Sequence, residues 1–172
     1  MPKKQVYQVK RYHDISCGHR VVGHEGKCRH LHGHNYRVHF VCEAEIKTAH
    51  PAETKPLRPY QLDAVGRVID FGEVKAKLCE WVETNWDHKF LAWIEDPVIF
   101  KMSTIYTKEE KGFNDCTDAE ESFVFVPFNP TAENMAEYLV NVIGPQQLKG
   151  TGIKLVSVTI DETRKCSVTY GS

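Results

Sequence analysis

The chain has 172 residues, an ordinary length for one domain and enough to bury a core. Its 22 Lys and Arg nearly balance 23 Asp and Glu, so no charge excess points to nucleic acid or to a membrane surface. No apolar run approaches a membrane span, Met1-Pro2-Lys3-Lys4-Gln5 is not followed by a signal-peptide core, and the six cysteines (17, 28, 42, 79, 116, 166) show no framework spacing. Free thiols in a reducing compartment, the cytoplasm, are therefore expected.

Residues Val6 to Ile15 carry Tyr7, Val9 and Ile15 on one parity and Val6 and Tyr12 on the other, which predicts a strand with imperfect alternation. The extended segment runs on to Ser16-Cys17-Gly18-His19-Arg20, and Val21–Arg29 reads as a connection. The clearest strand is His32 to Ile46, where Tyr36, Val38, Phe40, Cys42, Ala44 and Ile46 oppose Arg37, His39, Glu43 and Glu45.

Six of the nine histidines lie between His19 and His39. Side chains at i and i+2 of a strand point the same way, so His32 and His34 share the apolar face. Roughly 7 Å apart along the backbone, two such imidazoles can converge on one metal ion. Gly33 between them leaves the other face open to close backbone approach. If the first strand lies antiparallel to the second, His19 supplies a third ligand. Three neutral imidazoles with a free fourth position form a catalytic zinc arrangement. The competing reading is a set of polar surface histidines near a turn. His39, on the opposite face, and His24, in a loop, read as solvated.

Lys47–Pro59, with its prolines and charges, reads as an exposed loop. Asp70 then offers an N-cap with Glu73 three residues on, and Phe71, Val74, Leu78, Trp81 and Val82 form one stripe of a helix over about Phe71–Asn85. Residues 93–128 read as a solvated excursion, acidic over Lys108–Ser122, in which Val98–Ile105 and Phe123–Val126 could pair as a hairpin. A second helix starts at Thr131 as N-cap, with Ala132, Met135, Ala136, Leu139 and Ile143 on one side, and Gly144-Pro145 ends it. The last strands are Ile153–Ile160 and Cys166–Tyr170.

Three further places carry candidate chemistry. Cys28 lies four residues before His32; a thiol near a cation becomes a base or nucleophile, but a buried inert cysteine and a fourth zinc ligand fit the spacing equally well. Asp87-His88 follows the first helix, where an aspartate can orient an imidazole. Glu162 continues the parity of Val156, Val158 and Ile160, and by burial preference alone reads as a surface residue.

Ser16-Cys17-Gly18-His19-Arg20, Cys28-x3-His32-Gly33-His34-Asn35-Tyr36, Val68-Ile69-Asp70-Phe71, Asp87-His88, Pro130-Thr131-Ala132-Glu133-Asn134 and Asp161-Glu162-Thr163 occur in this order. Together, over about residues 6–170, they resemble the 6-pyruvoyl-tetrahydropterin synthase family, most closely its 6-carboxy-tetrahydropterin synthase branch. The resemblance implies an α+β tunnelling fold (T-fold): a four-stranded antiparallel sheet with two helices on one face, in the order β-β-α-α-β-β. The chain would be a single domain over 1–172, with insertions at about 47–60 and 93–128. It further implies a hexamer of two trimers with active sites at subunit boundaries.

By the same resemblance Zn²⁺ is held by His19, His32 and His34, and Cys28, Asp87 and His88 are the catalytic group. Glu162 anchors a pterin, with Thr131 near it. The Trp86 before the Asp-His pair and the Ala92 four residues after His88 depart from the usual Leu and Asn of relatives. The implied substrate is 7,8-dihydroneopterin triphosphate, and the product 6-carboxy-tetrahydropterin for the queuosine pathway. The alternatives are a pyruvoyl-forming synthase and a zinc-stabilised interaction module closed by Cys28.

Overall fold

The computed structural model describes residues 6–44, 62–106 and 122–171. Its elements, in chain order, begin with strands β1 (Gln8–His19) and β2 (His32–Ala44), joined through a 3-10 turn at Lys27–Arg29. Helix α1 runs through Phe71–Val74, a π-helical turn at Lys75–Cys79 and Glu80–Trp86. Strand β3 (Phe90–Trp93), helix α2 (Pro97–Tyr106) and strand β4 (Phe123–Val126) follow. Helix α3 comprises Ala132–Tyr138, a second π turn at Leu139–Ile143, and Gly144–Gln147. Strands β5 (Ile153–Thr163) and β6 (Cys166–Gly171) complete the fold.

The strands form one sheet in the order β4-β3-β1-β2-β5-β6. β1, β2, β5 and β6 pair antiparallel, as expected, with Ile15 opposite Tyr36 and His19 opposite His32. The expected even-numbered face of β2 is the one that packs: Tyr36, Val38, Phe40 and Cys42 are buried with Ile15, Leu155, Val158 and Ile160 under the two long helices. The other face is polar. There Arg37 pairs with Asp14 (2.7 Å) and stacks on Tyr12, and His39 Nε2 meets Asp161 Oδ2 (2.8 Å), so His39 has a hydrogen-bond partner and is not merely solvated. An antiparallel sheet with one solvated face shows this alternation.

Four antiparallel strands is, however, too few. The sheet is mixed and six-stranded, because β3 runs parallel to the end of β1 and β4 runs parallel to β3. The hairpin expected between Val98–Ile105 and Phe123–Val126 does not form: the first segment is helix α2, and only the second is a strand. The overlooked signal is Asp96-Pro97. Proline at the first helical position is pre-set for the turn, and the buried Asp96 carboxylate accepts from Val98 N (2.9 Å) as an N-cap. The expected loop Lys47–Pro59 and the acidic stretch up to residue 121 lie outside the described residues.

Asp70 caps α1 as expected, accepting from Gly72 N at 2.7 Å. The buried stripe departs from a simple helical period: Val74, Leu78, Cys79, Val82 and Trp86 are buried while Phe71 is exposed. The π turn admits one extra residue and rotates the face, which an unbroken 3.6-residue period does not anticipate. Helix α3 buries Ala132, Met135, Ala136, Leu139 and Ile143, the five expected positions. Among the described residues no helix is long and apolar enough to cross a membrane.

Candidate metal centre and adjoining clefts

The β1–β2 register sets the site. Gly18 faces Gly33, and a Cβ added to Gly33 would lie 2.8 Å from the Cys17 carbonyl oxygen, so the strands close tightly there. Immediately beyond, His19 faces His32, and His34 follows two residues along the same face. The three rings stand 4.4–5.3 Å apart by centroid, and one ligand nitrogen from each lies within 4.8 Å of the others. This cluster can hold a metal ion.

Its hydrogen bonds fit that use. His19 Nδ1 donates to the Pro130 carbonyl (2.6 Å) and His32 Nδ1 to the His30 carbonyl (2.7 Å), which leaves both Nε2 atoms as lone-pair donors. The Nε2 of His32 is buried with no hydrogen-bond partner. A buried polar atom without a partner is costly, and a metal ion would satisfy it. Burial, opposed by the bond to Pro130, holds His19 below the ordinary histidine pKa, in the neutral form a metal needs.

Apart from His19 and His32, which line neither, the expected site residues divide between two clefts that share Glu162. One, of about 920 Å³, is lined by His34, Tyr36, Arg37, Asp87, His88, Glu162 and others. The second, about 360 Å³, is lined by His24, Cys28, Thr131, Glu133, Glu162, Cys166 and others. Glu162 Oε1 stands 3.7 Å from His34 Nε2 and 3.9 Å from His19 Nε2, at the edge of the histidine cluster. Cys28 sits half-buried in the 3-10 turn and is not part of that cluster. Thr131 caps α3, its hydroxyl accepting from Asn134 N (3.3 Å), and also borders the second cleft.

Asp87 and His88 form the expected pair, His88 Nδ1 donating to Asp87 Oδ2 at 2.6 Å. Asp87 Oδ1 accepts from Ser16 N (2.7 Å), which ties the pair to β1. Burial pushes the Asp87 carboxyl up, but the Ser16 and His88 hydrogen bonds outweigh it and leave the group below its ordinary value. His88 adopts φ 55°, a left-handed conformation uncommon for a residue with a Cβ, and its side chain is 83% exposed. Such a backbone marks a place where geometry is imposed on the side chain. The pair and Cys28 line different clefts of the one chain.

A profile described as 6-pyruvoyl tetrahydropterin synthase matches residues 8–172. The chain belongs to this family. It is 30% identical over 155 residues to the 6-carboxy-5,6,7,8-tetrahydropterin synthase of Rickettsia typhi, covering 90% of this chain and 93% of that one. Among solved structures, an uncharacterized protein from Wolinella succinogenes superposes with a TM-score of 0.74 at 24% identity, covering 98% and 99% of the two chains. The 6-pyruvoyl tetrahydropterin synthase of Caenorhabditis elegans does so with 0.58 at 22% identity, covering 100% and 99%. These two likenesses show the fold of the family.

Several residues that hold the site went unnoticed in the sequence. Asn129 clamps the loop after β1 in both directions, donating to Val22 O (2.8 Å) and accepting from Val22 N (2.9 Å). Asn134 in turn donates to Asn129 O (2.9 Å), which fixes the Pro130 carbonyl that orients His19. The motif Pro130-Thr131-Ala132-Glu133-Asn134 was visible, but its work is done by a backbone carbonyl. Arg20 pairs with the buried Asp96 at 3.1 Å and anchors the end of β1 to the start of α2. Sequence spacing carries no signal for that pairing.

Proposed function

We propose that this protein is a zinc-dependent 6-carboxy-5,6,7,8-tetrahydropterin synthase. It converts 7,8-dihydroneopterin triphosphate to 6-carboxy-tetrahydropterin with release of acetaldehyde and triphosphate, a carbon–carbon lyase reaction serving queuosine and 7-deazaguanine synthesis. The observation that carries the reading is the three-histidine cluster beside Glu162 at the junction of two clefts. The relative from Rickettsia typhi bears that name. The three-residue gap between Cys28 and His32 is the further point that favours the carboxy branch over the pyruvoyl one.

Bound to His19, His32 and His34, zinc would polarise side-chain oxygens and acidify neighbouring C–H bonds. Glu162 accepts from the 2-amino and ring N–H groups of the pterin, whose two parallel donors match a carboxylate. Thr131 borders the ring. Cys28 moves a proton on the substrate side chain. The imidazole of His88, held by Asp87, relays another and can accept it as imidazolium with the carboxylate beside it.

In the hexamer of two trimers that the family resemblance implies, active sites lie at subunit boundaries; that Cys28 and the Asp87–His88 pair line different clefts supports neighbouring subunits each supplying one of them. The sheet offers edges for such assembly. Among the described residues β3 pairs only with Gly18 and His19 of β1 and the Asp87–His88 turn takes up Ser16, leaving Gln8–Ile15 without a strand partner on one side, and β6 is an outer strand of the sheet.

Incubating the zinc-loaded protein with dihydroneopterin triphosphate and weighing the products tests the reading. Acetaldehyde with a carboxy-pterin is expected; a pyruvoyl product would place the chain in the other branch, and no turnover would leave an interaction module. Glu162→Gln sets an amide donor against the pterin's own donors, a mismatch of about 1–3 kcal/mol. Titration with non-reacting neopterin should then show binding weakened roughly tenfold or more, with zinc content and melting temperature unchanged. Unchanged affinity would remove Glu162 as the anchor.

A further inference from the structure

The turn that carries Cys28 has little to hold it from within. Lys27–Arg29 is a single 3-10 turn with no buried residue, and its own bonds, Arg29 N to Gly26 O and His30 N to Lys27 O, measure 3.5 and 3.0 Å. Such short pieces have poor hydrogen-bond geometry and are marginal alone. Its placement comes from the surrounding loop. Val21 N donates to Cys28 O (2.8 Å), Val22 is clamped by Asn129, and the exposed Arg29 guanidinium reaches back to Glu25 O (2.5 Å).

The remaining tie is His24. Expected to be solvated, this side chain is half-buried, and its Nδ1 accepts from Gly26 N at 2.8 Å. A neutral imidazole that accepts at Nδ1 carries its proton on Nε2. A Cβ at position 26 would meet His24 Cε1 at 2.9 Å and Nδ1 at 3.3 Å, so the bare backbone of Gly26 is what lets the ring sit this close. His24 and Cys28 line the same cleft as Thr131 and Glu162.

We propose that His24 is a positioning residue that aims the Cys28 thiol at the substrate side chain. It takes up the N–H at the start of the turn, which no carbonyl within the turn can reach, and so fixes the backbone from which the thiol projects. The bond spans two residues, the reach of an Asx turn, with a ring nitrogen standing where an Asn oxygen would. Proton transfer is sensitive to placement, and a shift of about 1 Å can cost on the order of 10²-fold. A turn freed at its start loses that placement, while His19, His32 and His34 on β1 and β2 keep theirs. The inference rests on the reading of Cys28 as the group that moves a proton on the pterin side chain.

Two substitutions separate the ring nitrogens. In His24→Asn the amide oxygen takes the place of Nδ1 and accepts from Gly26 N; in His24→Gln the amide reaches the place of Nε2 and that bond is lost. A third, Gly26→Ala, displaces the ring by its Cβ, and the backbone at φ −97°, ψ −157° accepts alanine. With dihydroneopterin triphosphate, His24→Gln and Gly26→Ala should lower kcat by about tenfold to a hundredfold and leave KM within about twofold. His24→Asn should retain most of the rate, within about threefold, and all three should match wild type in zinc content and melting temperature. Equal losses in the Asn and Gln variants, or loss in Asn alone, would overturn the proposal, because the ring would then act on the substrate through Nε2. An unimpaired His24→Gln protein would overturn it as well.

Alkylation of Cys28 by iodoacetamide, followed on its peptide by mass spectrometry, reads the thiol without any turnover. The half-buried thiol should react about twofold to tenfold faster in His24→Gln and Gly26→Ala than in wild type or His24→Asn, the equivalent of one lost hydrogen bond in the turn. Equal rates in all four proteins would overturn the proposal. Wild-type protein that turns over no pterin would overturn the function instead, and the alkylation rates would still decide the positioning.

Discussion

His32→Ala and His34→Ala proteins are expected to lose most of their zinc while keeping their fold. Three protein ligands suffice for a zinc site with an open position, and two do not hold the ion against competing chelators. Removing even an outer-shell partner of a ligand costs about 10–100-fold in affinity, so loss of a ligand should exceed that. Both side chains are only half-buried, unlike His19 at 1% exposure, so truncating them leaves little cavity. His39→Ala is the control. It alters the opposite face of the same strand, where His39 pairs with Asp161, and should retain its metal. Metal analysis after gel filtration decides the matter, and full zinc in either His32→Ala or His34→Ala would move the site elsewhere.

Much of this site was legible because strands report their geometry with a period of two. His32 and His34 fall on the parity of Tyr36, Val38 and Phe40, and the structure places them there. Gly33 announced close backbone approach, and Cys17 O lies within 2.8 Å of where its Cβ would be. His19 needed one further step, the antiparallel register, which the glycine pair Gly18–Gly33 permits.

What escaped notice was short or non-periodic. β3 has four residues, too few for any alternation to register, and β4 joins it in parallel, a pairing that no local turn signals. Val98–Ile105 was judged on its apolar run, while the helix start at Asp96-Pro97 was overlooked. The buried Asp96 is balanced by Arg20 from a different part of the chain, and tertiary pairs of this kind leave no mark in spacing. The π turn in α1 shows the same limit within one element, since a single extra residue alters the register after Val74 and brings Cys79 and Trp86 onto the buried face.

Cys28→Ala should keep its zinc and its melting temperature but lose turnover by roughly 10²–10⁴-fold, the usual cost of removing a proton-transfer group. Retention of zinc is expected because Cys28 stands outside the histidine cluster, in the turn that borders the Thr131–Glu162 cleft. Retention of fold is expected because the side chain is half-buried at the surface of that turn. Loss of zinc together with activity would make Cys28 a fourth ligand and the site a closed, structural one. Unimpaired turnover would make it an inert thiol. The division of the site between two clefts adds a sharper form of the experiment. His88→Ala should be inactive for want of the relay, and its fold should survive, since His88 is mostly exposed. Cys28→Ala and His88→Ala chains, denatured together and refolded as mixed oligomers, then form some boundaries at which one chain supplies Cys28 and its neighbour supplies Asp87 and His88. Turnover should reappear in the mixture although neither variant has it alone. A mixture that assembles normally but stays inactive would return both groups to a single chain.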